Sequence, residues 1–581
     1  MSRRDAVEIR ERELPTCTDD LPTTLSPLLR RVYRGRGVTR ADELDYRLKQ
    51  LPHPASLRGL DTAAAVLADA ITTGQRILVV GDFDADGATS TALAVRALHA
   101  MGAHSVDYLV PNRFQFGYGL TPELVGVARA YGPDLILTVD NGVSAHAGVE
   151  AAQAAGIGVV ITDHHLPGDS LPPALAIVNP HIESPAFAGR HLAGVGVCFY
   201  TMLAVRAALR ERAWFNTERP EPALVDNLDL VALGTVADVV SLDCVNRLLV
   251  EQGLRRIRAG QATPGVLALL DAAGRDPARV NAMDLGFGAA PRLNAAGRLD
   301  DMSRGIETLL AGDRRGADEC ARSLEALNRE RRALEREMRE TALADIEAHA
   351  EAAAGEMAPI LCLVADDWHQ GVVGIVASRL KERFRRPVVA FAPADNGELK
   401  GSARSVPGLH MRDLFEALDT RSGGNLILRF GGHAMAAGLS VRSEDFDAFK
   451  SGVTELAREW LGDEPAGEIL WTDGRLAAPD YCLETASALR YAGPWGAGFP
   501  EPAFHDRFRV REQRIVGRDH LKLRLSPLGA DNLEVDAIAF NAVDNGFPEA
   551  PGEIEAVFRL DVNHYRGVDR LQLIIDYLAA A

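Results

Sequence analysis

"RILVVGDFDADG", residues 76–87, is the stretch whose reading decides the fold. An apolar, β-branched run leads into Asp82, Asp84 and Asp86 at alternate positions, and then into Gly87. Alternating aspartates closed by a glycine are also how an EF-hand calcium loop begins. The bidentate Glu that should end such a loop falls on Leu93, which has no oxygen to give. The run before the loop has the pattern of a buried strand, not of a helix. The carboxylates therefore stand at a strand end, and alternation sends their side chains to one side.

The same pattern recurs outward from there. "SVDYLVP", "DLILTVD", "GVVITDHH" and "LAIVNP" are further short apolar runs, separated by alanine-rich helical stretches. Such alternation predicts a mostly parallel sheet covered by helices. Asp140 ends one strand, Asp163, His164 and His165 end another, and Asp238 follows an apolar segment at a loop or helix start. The C-terminal ends of parallel strands gather along one edge, where ligands bind. Several carboxylates in one site repel unless cations neutralise them, and an added imidazole shifts preference from Mg²⁺ or Ca²⁺ toward Mn²⁺. Taken singly, each such Asp reads as a helix cap.

Composition sets the outer limits. The chain has 581 residues, 47% hydrophobic and 25% charged, the usual mix of globular protein with room for several domains. A net charge of −18 argues against a polyanionic partner unless a basic surface is local. The six cysteines form no CxxC, so a zinc site is not expected and free thiols in a reducing cytoplasm are. The N-terminus has no apolar signal-like region, and no run is long enough to span a bilayer.

The expected organisation is a helical lead-in over 1–55, an α/β domain over 56–313, and a long helix over 314–354. A smaller α/β domain over 355–465 and an OB-type β-barrel over 466–581 complete it. In the long helix, Leu324, Leu327, Leu334 and Met338 make an apolar stripe, and Arg329, Arg331, Arg332, Arg336 and Arg339 fill other faces. That helix is either a solvated connector or one whose arginines overlook a polyanion.

"GDFDADGATSTAL", "TVDNGVSAHAGVE" and "ITDHHLPGD" resemble the motifs of the DHH phosphoesterases. "LAGVGVCFY", "APRLNAAGRLD", "WHQGVVGIVASRL", "GSARS" and "FGGHAMAAGL" narrow the resemblance to the RecJ single-strand-specific 5′→3′ exonucleases, from about residue 55 onward. The resemblance implies a two-metal site of Asp82, Asp84, Asp86, Asp140, His164 and Asp238, with Asp140 bridging and Mn²⁺ preferred over Mg²⁺. It makes His165 a contact to the scissile phosphate, and it gives Asp82 and Asp140 catalytic parts with His165. It implies a DHH domain over 56–313 and a DHH-associated domain over 355–465. The latter would hold the 5′-terminal phosphate on Ser402, Arg404, Gly431, Gly432 and His433, with His369, Arg113 and Arg298 as further substrate contacts. The sequence departs from the family at Gln115 and Phe116, where acidic residues are expected.

A local basic surface is expected on the barrel. In "RFRVR" and "LKLRL", Arg507, Arg509, Arg511, Lys522 and Arg524 alternate with apolar residues, so a buried set and a cationic face follow. That face is either a track for single strands or merely solvated. Tyr491, Trp495, Phe499 and Tyr565 are candidates for stacking on bases or for the core.

The expected activity is 5′→3′ hydrolysis of single-stranded DNA to 5′-mononucleotides, in repair and recombination. A single-strand-binding protein and a helicase would be partners of a cytoplasmic monomer. The rival readings are a DHH oligoribonuclease or cyclic-dinucleotide phosphodiesterase, which would lack the barrel, and an inactive replication scaffold, which would lack the metal ligands.

Overall fold

The computed structural model describes residues 7–581 except 114, 183–186, 353–356, 531, 544–549 and 551. The expected end of the long helix at 353 and 354 therefore lies outside the described residues. The chain divides into two compact units, one of residues 13–328 with 483–502, the other of 1–12, 329–482 and 503–581. The lead-in, expected to be helical, opens on a strand, β1 (Val7–Glu11), which pairs in parallel with Glu468–Thr472. Its alternating Val7 and Ile9 pack against a buried patch at Val557 and Tyr577, and a strand with alternating side chains presents one such face where a short helix would not. Helix α1 (Pro27–Arg34) follows, capped by Ser26.

The larger unit is built on β2 (Arg76–Val80), β3 (Ser105–Leu109), β4 (Leu135–Val139), β5 (Gly158–Thr162) and β6 (Ala176–Val178). All five are parallel, in the order β3-β2-β4-β5-β6. Every residue of β4 is buried, as are the last four of β2 and β5, which is why they read as continuous apolar runs. Helices α2 (Leu60–Thr73), α3 (Ala85–Ala100), α4 (Pro122–Ala128), α5 (His146–Ala154) and α6 (Gly194–Glu211) clothe the sheet, and α7 (Leu228–Ala237) packs on α3 and α6. The central one, α3, packs against both α6 and α7. Strand order reverses between β2 and β4, and a crevice opens there beyond the strand ends.

In the second unit a sheet of β7 (Leu361–Val364), β8 (Val388–Pro393), β9 (Glu398–Arg404), β10 (Arg429–Gly432) and β11 (Ala436–Arg442) runs in the order β10-β11-β9-β8-β7. After β12 (Glu468–Thr472), strands β13 (Phe504–Val516), β14 (His520–Pro527), β15 (Val535–Ala539), β16 (Glu553–Tyr565) and β17 (Val568–Ala580) close into a barrel, β13-β14-β15-β17-β16. The fold class is thus α/β with an added OB-type barrel, as expected.

Residues 483–502 lie between barrel and sheet strands in sequence but fold into the larger unit. Trp495 and Phe499 stack there at 5.0 Å, beneath the guanidinium groups of Arg36 and Arg247, and are 5% and 1% exposed. They are core, not base platforms. Tyr491 and Tyr565 are exposed. The long helix runs Arg314–Ala352, with Leu324 and Met338 buried. Arg331 on it is ion-paired with Glu335 at 2.6 Å. No helix among the described residues is long and apolar enough to cross a membrane.

Candidate metal centre and phosphate-binding sites

The strand order places the ends of β2, β4 and β5 side by side, so their loops share one crevice. Asp82 follows β2 and its Oδ1 accepts from Phe83 N at 2.8 Å. Asp84 caps α3, accepting from the amides of Asp86 and Gly87. The cap occupies Oδ1, so the bland reading of a strand-end Asp is true of Asp84 and leaves its other oxygen over. Asp86, in the first turn of α3, is turned to α6, whose first two amides, Gly194 and Val195, donate to its carboxylate at 2.6 and 2.9 Å. Helix N-termini favour such an anion.

Asp140 leaves β4 at φ 63°, in the left-handed region, and is 2% exposed. Its Oδ1 lies 3.1 Å from His164 Nε2, which is 3.4 Å from Asp238 Oδ2 and 4.0 Å from Asp86 Oδ2. Asp238 is the C-cap of α7, in the turn that follows the helix, so of the loop or helix start expected it is the loop. The apolar run before it is a largely buried helix packed between α3 and the helix Cys244–Arg258.

The residues fit a divalent ion. Asp140 Oδ1 and His164 Nε2 are buried with no hydrogen-bond partner, an expensive state that a cation between them relieves. Three sets, Asp82–Asp84–Asp140, Asp86–His164–Asp238 and Asp140–His164–His165, bring ligand atoms within 4.8 Å of one another. Burial first, and neighbouring carboxylates second, raise Asp82 and Asp140 well above the usual range, Asp86 to about 7 and Asp238 to about 9. Burial, with the charge of His165, lowers His164 to about 4, so its ring is neutral and can ligate.

His165 is driven the other way. Burial lowers it, but its hydrogen bond to Asp163 and the charges of Asp163, Asp238 and Asp82 outweigh this and raise it to about 9. The ring donates from Nδ1 to Asp163 Oδ1 at 2.8 Å, and the Tyr118 hydroxyl lies 3.1 and 3.3 Å from its two nitrogens. Asp163 also accepts from the amides of Val143, His164 and His165. Sequence reasoning missed Asp163 as the residue that holds both histidines, and it missed Tyr118. Nothing in the sequence marks a carboxylate that bonds back to its own neighbours. Two residues of "APRLNAAGRLD" serve this loop as well. Asn294 accepts from Ala85 N at 2.9 Å, and a Cβ on Gly297 would lie 1.8 Å from Phe83 O. Arg298 is the next residue, in the last turn of the same helix. Arg113 lies 4.2 Å over the Phe83 ring. Phe116 packs against the sheet's hydrophobic core and Gln115 is exposed.

In the second unit, Ser402 and Arg404 lie on β9. Arg404 donates to Ser402 Oγ at 3.0 Å, Ser378 Oγ at 3.2 Å and its neighbour's carbonyl, with no carboxylate partner among the described residues. Gly374, in the first turn of the helix Val373–Phe384, lies against both side chains, where a Cβ would come within 2.9 Å of Ser402 Oγ. Arg404 pairs in register with Ala436, beside the turn of Gly432 and His433; Gly432 has φ 135° and no room for a Cβ, whereas Gly431 has open space above it. His369 accepts from Gly371 N just before that helix.

On the barrel, Leu521, Leu523 and Leu525 are buried as the alternation requires. The cations between them are not all free. Arg509 pairs with Glu553 at 3.2 Å, and Arg524 lies within 3.3–4.0 Å of Glu512, Glu534 and Asp536. A register shift between Val510 and Glu512 interrupts the alternation at Arg511, which donates to Ser526. Arg514 and Lys522, directly opposite each other on β13 and β14, have no carboxylate partner among the described residues.

Family models match three stretches: "DHH family, N-terminal domain" over residues 76–235, "DHHA1 domain" over 358–459 and "RecJ OB domain" over 472–577. The single-stranded-DNA-specific exonuclease RecJ of Dickeya dadantii is 53% identical over 98% of both chains, and that of Escherichia coli 51% over 99% of both. The crystal structure of RecJ from Thermus thermophilus with Mn²⁺ superposes with a TM-score of 0.81 at 32% identity, covering 100% of this chain and 80% of that one. The same protein with Mg²⁺ gives 0.75 at 30% identity, over 100% and 79% of the two chains.

Proposed function

The chain belongs to the RecJ family of single-stranded-DNA-specific exonucleases, and from that membership we propose how its own residues divide the work. It is a metal-dependent exonuclease acting on single-stranded DNA. The matched barrel domain and the presence of every expected ligand disfavour the oligoribonuclease, cyclic-dinucleotide and scaffold readings. Asp82, Asp84, Asp86, Asp140, His164 and Asp238 would hold two divalent ions, Mn²⁺ or Mg²⁺, with Asp140 shared between them. Bound there, the ions neutralise the crowded carboxylates and make a water nucleophilic near neutral pH. His165, kept protonated by Asp163, donates to a non-bridging oxygen of the scissile phosphate. Asp163 and Tyr118 hold its ring in place.

The 5′→3′ direction would be set by a terminal-phosphate pocket at Ser402 and Arg404, and the products would be 5′-mononucleotides. A largely buried guanidinium that faces only hydroxyls and a carbonyl among the described residues lacks an anion there, and a terminal phosphate would supply one. Gly432, His433, His369, Arg113 and Arg298 add further contacts to the strand. A helicase that opens duplex and a single-strand-binding protein would be its partners. The six free thiols suit a reducing cytoplasm, and a monomer suffices for the activity.

The observation that carries the metal reading is the orphaned pair of Asp140 Oδ1 and His164 Nε2 inside a ring of buried carboxylates. Strands and duplexes labelled at either end, incubated with Mn²⁺, Mg²⁺ or chelator, test it. Mononucleotides should appear first from the 5′ end of single strands and vanish with chelator. Loss of nucleotides from the 3′ end, or activity in chelator, overturns the reading.

A further inference from the structure

A cavity beside the metal centre is lined, apart from His165 at its edge, by none of the groups assigned to metal or phosphate. It encloses about 470 Å³, within the usual range for small-ligand sites, and opens against Asp163 and His165. Its walls are the segment 118–122 on one side and 142–148 on the other. Leu120, Pro122, Val143, Ala145 and Ala147 give it apolar faces. No lysine or arginine lines it among the described residues, so away from His165 its chemistry does not suit a phosphate. His146, the remaining imidazole there, is engaged with Ser170 O at 3.1 Å.

One wall is aromatic. Tyr118 is 49% exposed although its hydroxyl is fixed by His165 and by Asp140 O, 3.2 Å away, and its ring stands edge-on to Phe83 at 6.1 Å. A large ring pinned at its polar end and left bare on its face is a surface waiting for a flat partner. The walls are also fixed in advance. Gly119 and Gly142 sit at φ 71° and 114°, and α5 approaches the opposite segment so closely that a Cβ on Gly148 would lie 1.9 Å from Leu120 O.

We propose that this cavity binds a nucleobase flanking the scissile phosphate, stacked on Tyr118 and held by apolar walls. This rests on the exonuclease reading above and deepens it. A base in a duplex is stacked and paired and cannot turn into such a slot, whereas a single-stranded base can, at little cost. The pocket contributes to strand selectivity at the reacting nucleotide itself, and it tolerates any base because it offers a face rather than a hydrogen-bond code.

The test uses 5′-phosphorylated single strands with a tetrahydrofuran abasic residue at one or the other nucleotide flanking the first scissile phosphate, compared with the unmodified strand in Mn²⁺. Wild type should lose tenfold or more in kcat/KM at one of the two positions. Ala147→Trp, on the exposed first turn of α5, puts an indole into the cavity and should bring the ratio between unmodified and abasic strands close to one. The inference is overturned if wild type loses less than twofold at both positions, or if Ala147→Trp retains the full ratio. Failure of wild type to degrade the unmodified strand would instead overturn the exonuclease reading.

Discussion

Asp140 combines three costs in one residue. It is buried, it takes a left-handed backbone at φ 63°, and one carboxylate oxygen has no partner. Val239, next to Asp238, is left-handed too at φ 60°, an unusual state for a β-branched residue. Such strain, on the order of 1–3 kcal/mol per residue, concentrates at functional sites. Asp140→Asn keeps a side chain that tolerates this backbone but removes the charge. It should lower turnover at least a thousandfold while raising the melting temperature of the metal-free protein; turnover and melting in chelator check both. The pH dependence follows from the same crowding. Asp82, Asp86, Asp140 and Asp238 hold protons in the fold that an unfolded Asp, titrating near pH 4, has already lost. Their contribution to stability therefore falls as pH rises, through about 7 for Asp86 and about 9 for Asp238. Melting in chelator should drop between about pH 6 and 9, and saturating Mn²⁺ should abolish the drop.

Among the elements, the N-terminus of α6 governs the centre most directly. Its first two amides hold Asp86, and Gly194 lets Asp140 approach, since a Cβ there would lie 2.4 Å from Asp140 Oδ1. Gly194→Ala should cut activity at least a hundredfold and shrink the Mn²⁺-induced rise in melting temperature, with the far-ultraviolet circular dichroism unchanged. In the other unit, β9 and the helix Val373–Phe384 bring Ser402, Ser378 and Arg404 together. Wild type should prefer a 5′-phosphorylated strand to a 5′-hydroxyl one by about tenfold, an effect of the size expected for a charge-assisted contact. Arg404→Ala should erase that preference and leave Mn²⁺ binding intact, which comparison of the two substrates and a metal titration will read.

At the scale of the molecule, a protein of net charge −18 must attract a polyanion through local surfaces. On the barrel, Arg524 is neutralised by three carboxylates, whereas Arg514 faces Lys522 across the strands. Like charges in register repel, so this pair gains most from a phosphate. Replacing Arg514 and Lys522 with Gln should lower the salt slope of long-strand binding by about 1.4, near 0.7 for each lost contact. Arg524→Gln should change it much less. Affinity at several salt concentrations distinguishes the two, and an unaltered slope in the double variant would make this face merely solvated.

What the sequence determined by itself was local. Strands buried on both faces must be continuous apolar runs, so β2, β4 and β5, and the acidic or histidine residues at their ends, were legible from residue order. Period-two alternation likewise placed Leu521, Leu523 and Leu525 inside the barrel. The tertiary structure decided everything that depends on a non-local neighbour. Strand order made three strand ends adjacent; chain folding put Trp495 and Phe499 beneath Arg36 and Arg247 instead of on a binding face. Pairing of β13, β14 and β15 set Glu512 and Asp536 beside Arg524, and the return of the Asp163 carboxylate to His165 fixed the charge of that ring. Periodicity records which side of its own element a residue faces, but the partner across the gap comes from packing between elements distant along the chain, and no local pattern carries it.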